Sequence, residues 1–217
     1  MSFRTLYQFL NDLQANNSKE WMDLNRFYYH DVRDWYIDWL NGLDIELGKI
    51  DPDYTYTPGR KAINRINNNL MFHPEKPTYK NHFGAGLDHE GKQGDFYIHL
   101  GTTESFIAGG YWKPPTNTLT SIREALDYNG EEFVAIIEKP SFKAMFGSII
   151  NQDPLKTAPK GFSKDHKYIN LLRHRTFAVS HDVSQQEVVG GGFKEKVISV
   201  YKEMLPFRRY LNQATTV

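Results

Sequence analysis

The chain contains no cysteine, which excludes a thiol nucleophile, a disulfide framework and thiolate metal ligation, and fits a reducing compartment. It has no excess of either charge. Twenty-six basic residues balance 26 acidic ones, so no global field draws the protein to nucleic acid or to an anionic membrane, and any recognition of an anion must be local. There is no apolar run long enough to span a bilayer, and the opening Met-Ser-Phe-Arg leads into an amphipathic pattern rather than a secretion signal. The expectation is a cytoplasmic protein with no membrane contact and with nucleic acid a distant third among possible partners.

What is present suffices for a core. The 217 residues are 40% hydrophobic and 14% aromatic, a length and composition suited to a globular fold that needs no metal or disulfide staple. A single domain over 1–217 is expected, helical over 1–52, mainly sheet over 53–112 and mainly helical over 113–217.

Phe3, Leu6, Phe9, Leu10 and Leu13 share one face at helical spacing until Asn16-Asn17 breaks the run. Ser18 then suits a helix cap. From Trp21 through Leu24, Tyr28, Val32, Trp35, Trp39, Leu43 and Leu47 to Ile50, apolar residues recur every three or four positions, with Asn25 or Gly42 as points where the helix would break. This ring stripe reads as a core seam rather than a ligand box.

The middle reads as sheet: Lys61–Ile66, His82–Leu87, Asp95–Leu100 and Ser105–Tyr111 are short segments set off by Gly, Pro or Asn, and Phe96, Ile98 and Leu100 alternate with Tyr97 and His99. His89-Glu90-Gly91-Lys92 reads as a hairpin turn. Short connections favour an antiparallel meander over a doubly wound parallel sheet. Further on, two helices are expected between Thr116 and Pro140, another over Asp165–His174, a strand over Thr176–Val179, a capping box at Ser184–Glu187, and a last helix from about Phe193 that Pro206 would kink or shorten. The fold class is α+β: a central antiparallel sheet with helices from the N- and C-terminal regions packed on it.

Chemistry concentrates between Ile63 and Gly86. Arg65, Lys76, Lys80 and His82 fall within eighteen residues, and asparagines 67 to 69 and Tyr79 lie between them. An arginine fork, mobile lysine charges and amides that both donate and accept suit a phosphate or carboxylate. The competing reading makes the lysines solvated loop residues and the asparagines turn formers. Tyr111-Trp112 before Pro114-Pro115 forms a rigid aromatic corner, which makes Trp112 a candidate wall. Glu75 and Glu104 are the carboxylates nearest this cluster in sequence.

Established signatures are missing. No His-Glu-x-x-His occurs, and His82 and His99 meet only if their strands pair in a favourable register, so no metal is assigned. Gly-x-Ser-x-Gly is absent, Gly84-Ala85-Gly86 lacks a third glycine, no P-loop exists, and Gly190-Gly191-Gly192 is more simply a hinge. No cofactor is called for, and whether the protein is an enzyme stays open.

The central segment resembles the family of unknown function DUF2461, through Arg65-Ile66-Asn67, Phe72, Lys76 and Tyr79-Lys80-x-His82-Phe83. The resemblance extends over nearly the whole chain: Phe-Leu-x-x-Leu-x-x-Asn-Asn-x-x-Glu-Trp from Phe9 to Trp21, Gly-Gly-x-Trp-x-Pro from Gly109 to Pro114, Pro-x-Gly-x-x-x-x-His from Pro159 to His166, Leu171-Leu172-Arg173, and Leu-Pro-x-x-x-x-Leu-Asn from Leu205 to Asn212. It implies no established substrate, cofactor or catalytic residue. Where members resembling this chain carry a second arginine, an aspartate and a third arginine, this sequence has Asn68, Asn69 and Met71, and its proline is displaced to Pro77. Two cations and one anion give way to neutral groups.

Two readings follow. In the first, Arg65, Lys80 and His82, with Tyr79, Lys76 and Trp112, bind an anionic small molecule in a pocket beside the sheet. In the second, the same motif is an internal polar network in a non-catalytic interaction or structural module whose protein partner the sequence does not name.

Overall fold

The computed structural model describes residues 1–88 and 95–215; the hairpin turn expected at His89-Glu90-Gly91-Lys92 lies outside them. The described elements are α1 (Phe3–Ala15), α2 (Lys19–Leu24), α3 (Arg26–Gly48), α4 (Gly59–Ala62), β1 (His82–Leu87), β2 (Asp95–Gly101), β3 (Ser105–Tyr111), α5 (Thr116–Glu138), α6 (Pro140–Phe146), α7 (Ile169–Leu172), β4 (Phe177–Asp182), α8 (Gln185–Val189) and α9 (Phe193–Thr215). The strands form one antiparallel sheet in the order β1-β2-β3-β4. Helices at both ends and a sheet of sequential strands make the fold α+β, as the alternation and short connections imply.

Among the described residues, 1–88, 97–107 and 182–198 form one compact unit, and 95–96, 108–181 and 199–215 a second. In the first, Leu6, Phe9, Leu10 and Leu13 of α1 are buried with Val32, Tyr36, Leu40, Leu43 and Leu47 of α3. Phe83 of β1 meets both helices, its ring centroid 6.2 Å from that of Phe9 and 5.9 Å from that of Tyr36. In the second, Phe133 of α5 packs within 5.6 Å of Phe207 and 4.9 Å of Tyr210 on α9, so that ring contacts join the two long helices.

Local chemistry explains most boundaries. Ser2 and Ser18 cap α1 and α2 through their hydroxyls. Asn25 ends α2, its amide donating to the Trp21 carbonyl at 2.9 Å, and α3 begins at the next residue. This break shifts the helical phase. Leu24, expected in the seam, is 86% exposed, whereas Met22 is buried. The two helices expected before Pro140 meet at Asn129, whose φ of −138° is not helical. The capping box at Ser184 and Glu187 is formed, and α9 runs through Pro206 without ending there.

Two expectations are corrected. Lys61–Ile66 is not a strand: its first residues belong to the single turn α4, and only Ile63 makes an isolated bridge, to Ala85. Close packing is the cause, because the Gly59 N–H donates to the Asn41 side chain at 2.8 Å and a Cβ there would sit 2.6 Å from the Ile37 carbonyl oxygen. Asp165–His174 holds one helical turn, α7, after a series of turns. There the His166 ring accepts from the Tyr168 N–H at 3.0 Å and reaches Asp127 at 2.8 Å, which diverts a backbone donor that a helix would use.

Candidate functional site

The segment from Ile63 to Lys80 is an irregular hairpin that feeds into β1. Asn67 bridges Tyr79, the Asn64 N–H donates to Gly84 at 2.7 Å, the Lys80 N–H to Ile66 at 2.8 Å and the Asn68 N–H to Thr78 at 3.0 Å. Ile66 and Tyr79 are buried and Arg65 and Asn67 exposed, the alternation of a strand covered on one side. The hairpin is tied to the α1–α2 corner by the Asn17 side chain. Its Oδ1 accepts from the Tyr79 N–H and its Nδ2 donates to the Tyr79 carbonyl, both at 2.9 Å, so that one amide imitates a strand neighbour.

This scaffold brings three cations together. Lys80 is half-buried, and its ammonium donates to the Arg65 carbonyl at 2.5 Å. Burial first, and then the positive charges of Arg65 and Lys76, hold Lys80 below the ordinary lysine pKa. Among the described residues none of the three has an ion-pair partner: the loop's carboxylate, Glu75, faces His73 at 3.6 Å. Arg65 and Lys76 are exposed.

His82 follows on β1, and the register does bring it to His99. Their rings stack at 4.1 Å, and the other face of His99 stacks on Phe106 at 4.6 Å with only 7° between the planes. A ladder of three rings thus crosses β1, β2 and β3 on the side opposite Phe83, Ile98 and Ile107. Gly84 leaves room beside it: a Cβ there would lie 2.2 Å from the Tyr97 hydroxyl and 3.0 Å from the Asn64 amide. Desolvation first, then His99 and Lys80, pushes His82 down to about 4; desolvation alone brings His99 to about 4. Both imidazoles are therefore neutral near pH 7. Among the described residues no group of three or more His, Asp or Glu side chains is placed to hold a metal ion.

Arg65, Lys76, Tyr79, Lys80 and His82, the residues to which the sequence points, are carried together by this hairpin and strand, with Tyr79 as the buried anchor. Trp112 belongs to the second unit, where it is 52% exposed with the Lys113 ammonium 5.6 Å from its ring centre. His99 and Phe106 were not named as site residues. Their signal was the period-two placement of Tyr97 and His99 away from the apolar face, with the pairing register still undetermined.

No curated protein and no solved structure matches the chain. A family model described as "Conserved hypothetical protein (DUF2461)" matches residues 5–210, a span from α1 to α9 that includes the hairpin, the ring ladder and the helices around them. The chain belongs to the DUF2461 family.

Proposed function

We propose that the first unit binds an anionic small molecule, a phosphate or carboxylate, through Arg65, Lys76 and Lys80, with His82 as a neutral donor at the edge of the site. The observation that carries this reading is the convergence of three like charges with no carboxylate partner among the described residues. Holding cations together costs free energy that an incoming anion recovers. Arg65 supplies a planar fork, Lys80 and Lys76 supply charge, and His82, uncharged near neutrality, offers a single N–H.

The test is thermal unfolding at low ionic strength against inorganic phosphate and a panel of small carboxylates and phosphate esters. Arg65→Ala, at an exposed position, and Lys80→Met, at a half-buried one, lose the stabilisation given by an anion bound at this site and weaken its Kd at least ~10-fold. Unchanged midpoints for every compound with the unsubstituted chain would sink the proposal.

One observation favours the second reading, an interaction or structural module. The Asn17 amide and the Asn68 side chain, which donates to the Pro77 carbonyl at 2.8 Å, spend the motif's polar groups on its own backbone, while Met71 and Phe72 at the loop are 81% and 69% exposed. On that reading Arg65→Ala lowers stability and leaves every anion titration flat.

A further inference from the structure

The second unit contains a cleft of about 420 Å3 whose lining is basic where the surface as a whole is neutral. Lys113, Arg123 and Arg175 line it together with Asp153, and Leu119, Ile150 and Leu155 supply an apolar side. Arg175 pairs with Asp153 at 3.0 Å. Lys113 and Arg123 have no acidic partner among the described residues.

Arg123 is the informative member. It is only 8% exposed, and its guanidinium donates through Nε to the Leu172 carbonyl at 2.7 Å and through Nη2 to the His174 carbonyl at 3.1 Å. These bonds fix the plane of the fork and leave its remaining N–H donors without a partner among the described residues. Burial first, and then the charge of Arg175, lowers its pKa, as for a cation held where a counter-charge is wanted.

Lys113 is the second unusual feature. Its φ is +45°, in the left-handed region that a side chain with a Cβ rarely takes, and its N–H donates to the Thr176 hydroxyl at 3.2 Å. A glycine would hold this turn with less strain; the lysine's ammonium lies 5.6 Å from the centre of the Trp112 ring. The first turn of α5 adds to the same field. Thr116 and Leu119 line the cleft, and Pro115 before them gives α5 no side-chain cap.

We propose that this cleft is a binding site for a small phosphate monoester. The phosphate sits among Arg123, Lys113 and Arg175, and a compact, partly apolar body lies along Leu119, Ile150 and Leu155. The three cations against one carboxylate match the charge of a phosphate dianion, and the volume falls within the range of small-molecule sites. The site is carried by the second unit alone and does not depend on the reading of Arg65, Lys76 and Lys80.

The experiment is calorimetric titration of the whole chain with phenyl phosphate and with inorganic phosphate, using Lys113→Gly and Arg175→Gln in an Arg65→Ala/Lys80→Met background that removes cations of the first unit. The expected result is saturable binding of phenyl phosphate to that background, tighter than that of inorganic phosphate and weakened at least ~10-fold by Lys113→Gly and by Arg175→Gln. Lys113→Gly relieves the backbone, so its unfolding temperature holds or rises while affinity falls; a purely structural lysine would leave affinity untouched. Absence of saturable binding to the unsubstituted chain, or full affinity in both cleft variants, overturns the proposal. Binding to the unsubstituted chain that the Arg65→Ala/Lys80→Met background abolishes assigns the anion to the first unit instead and overturns the proposal equally.

Discussion

His99 lies between the rings of His82 and Phe106 and is 9% exposed. Its folded pKa of about 4, like that of His82, is depressed from the ordinary 6.5. Above about pH 6.5 both states of the chain hold these imidazoles neutral and the pair has no effect on stability. As pH falls from about 6.5 to about 4 the unfolded chain binds protons that the folded chain refuses, so stability drops across that window and levels below it. His99→Phe keeps a flat ring and removes one titration; it flattens the loss by about 2–3 kcal/mol at the acid end, as urea unfolding at several pH values would register. An unaltered acid slope in that variant means that the ladder is not what resists protonation. The alternation of Tyr97 and His99 with Phe96, Ile98 and Leu100 was legible in the sequence, because a period of two is written residue by residue. The contact with His82 was not, because register depends on pairing between strands.

Elements follow local signals where one residue decides them and depart from them where packing or a side-chain bond decides. Asn25 broke the long helix as one of its expected points, and Ser184 with Glu187 built its box. Gly59 and His166 instead traded a strand and a longer helix for contacts with Asn41 and Asp127, partners 18 and 39 places removed in sequence. The Asn17 amide, which pairs twice with the Tyr79 backbone, acts on the same scale. Asn17→Ala leaves those groups without their partner and costs about 1–3 kcal/mol, read from the denaturant midpoint. In β3 the Gly-Gly of the family pattern has a steric origin: Gly110 has φ +104°, and a Cβ would lie 2.3 Å from the Phe177 carbonyl oxygen of β4. Gly110→Ala is expected to cost more than about 2 kcal/mol or to prevent folding. Pro206 is exposed inside α9; Pro206→Ala restores a helical N–H and raises stability, by up to about 3 kcal/mol. A lower melting temperature in that variant would mean that the proline's shape is needed.

At the scale of the whole chain, zero net charge conceals two basic clusters, one in each unit. The first was legible because its residues lie close together in sequence between Arg65 and His82. The second was not, since Lys113, Arg123 and Arg175 come from three separated segments and only the fold collects them. With no global attraction, anion binding at either cluster must be short-ranged and must weaken as salt screens it over a Debye length of roughly 10 Å. No helix among the described residues is long and apolar enough to cross a membrane. The most direct measurement is the unfolding midpoint of a chain with the cleft weakened by Lys113→Gly and Arg175→Gln, with and without Arg65→Ala and Lys80→Met, at low ionic strength, across the phosphate and carboxylate panel. The account predicts that at least one anion raises the midpoint of the Lys113→Gly/Arg175→Gln chain saturably and that the gain disappears when Arg65→Ala and Lys80→Met are added. A gain that persists in full with those two substitutions, or no gain from any anion, contradicts it.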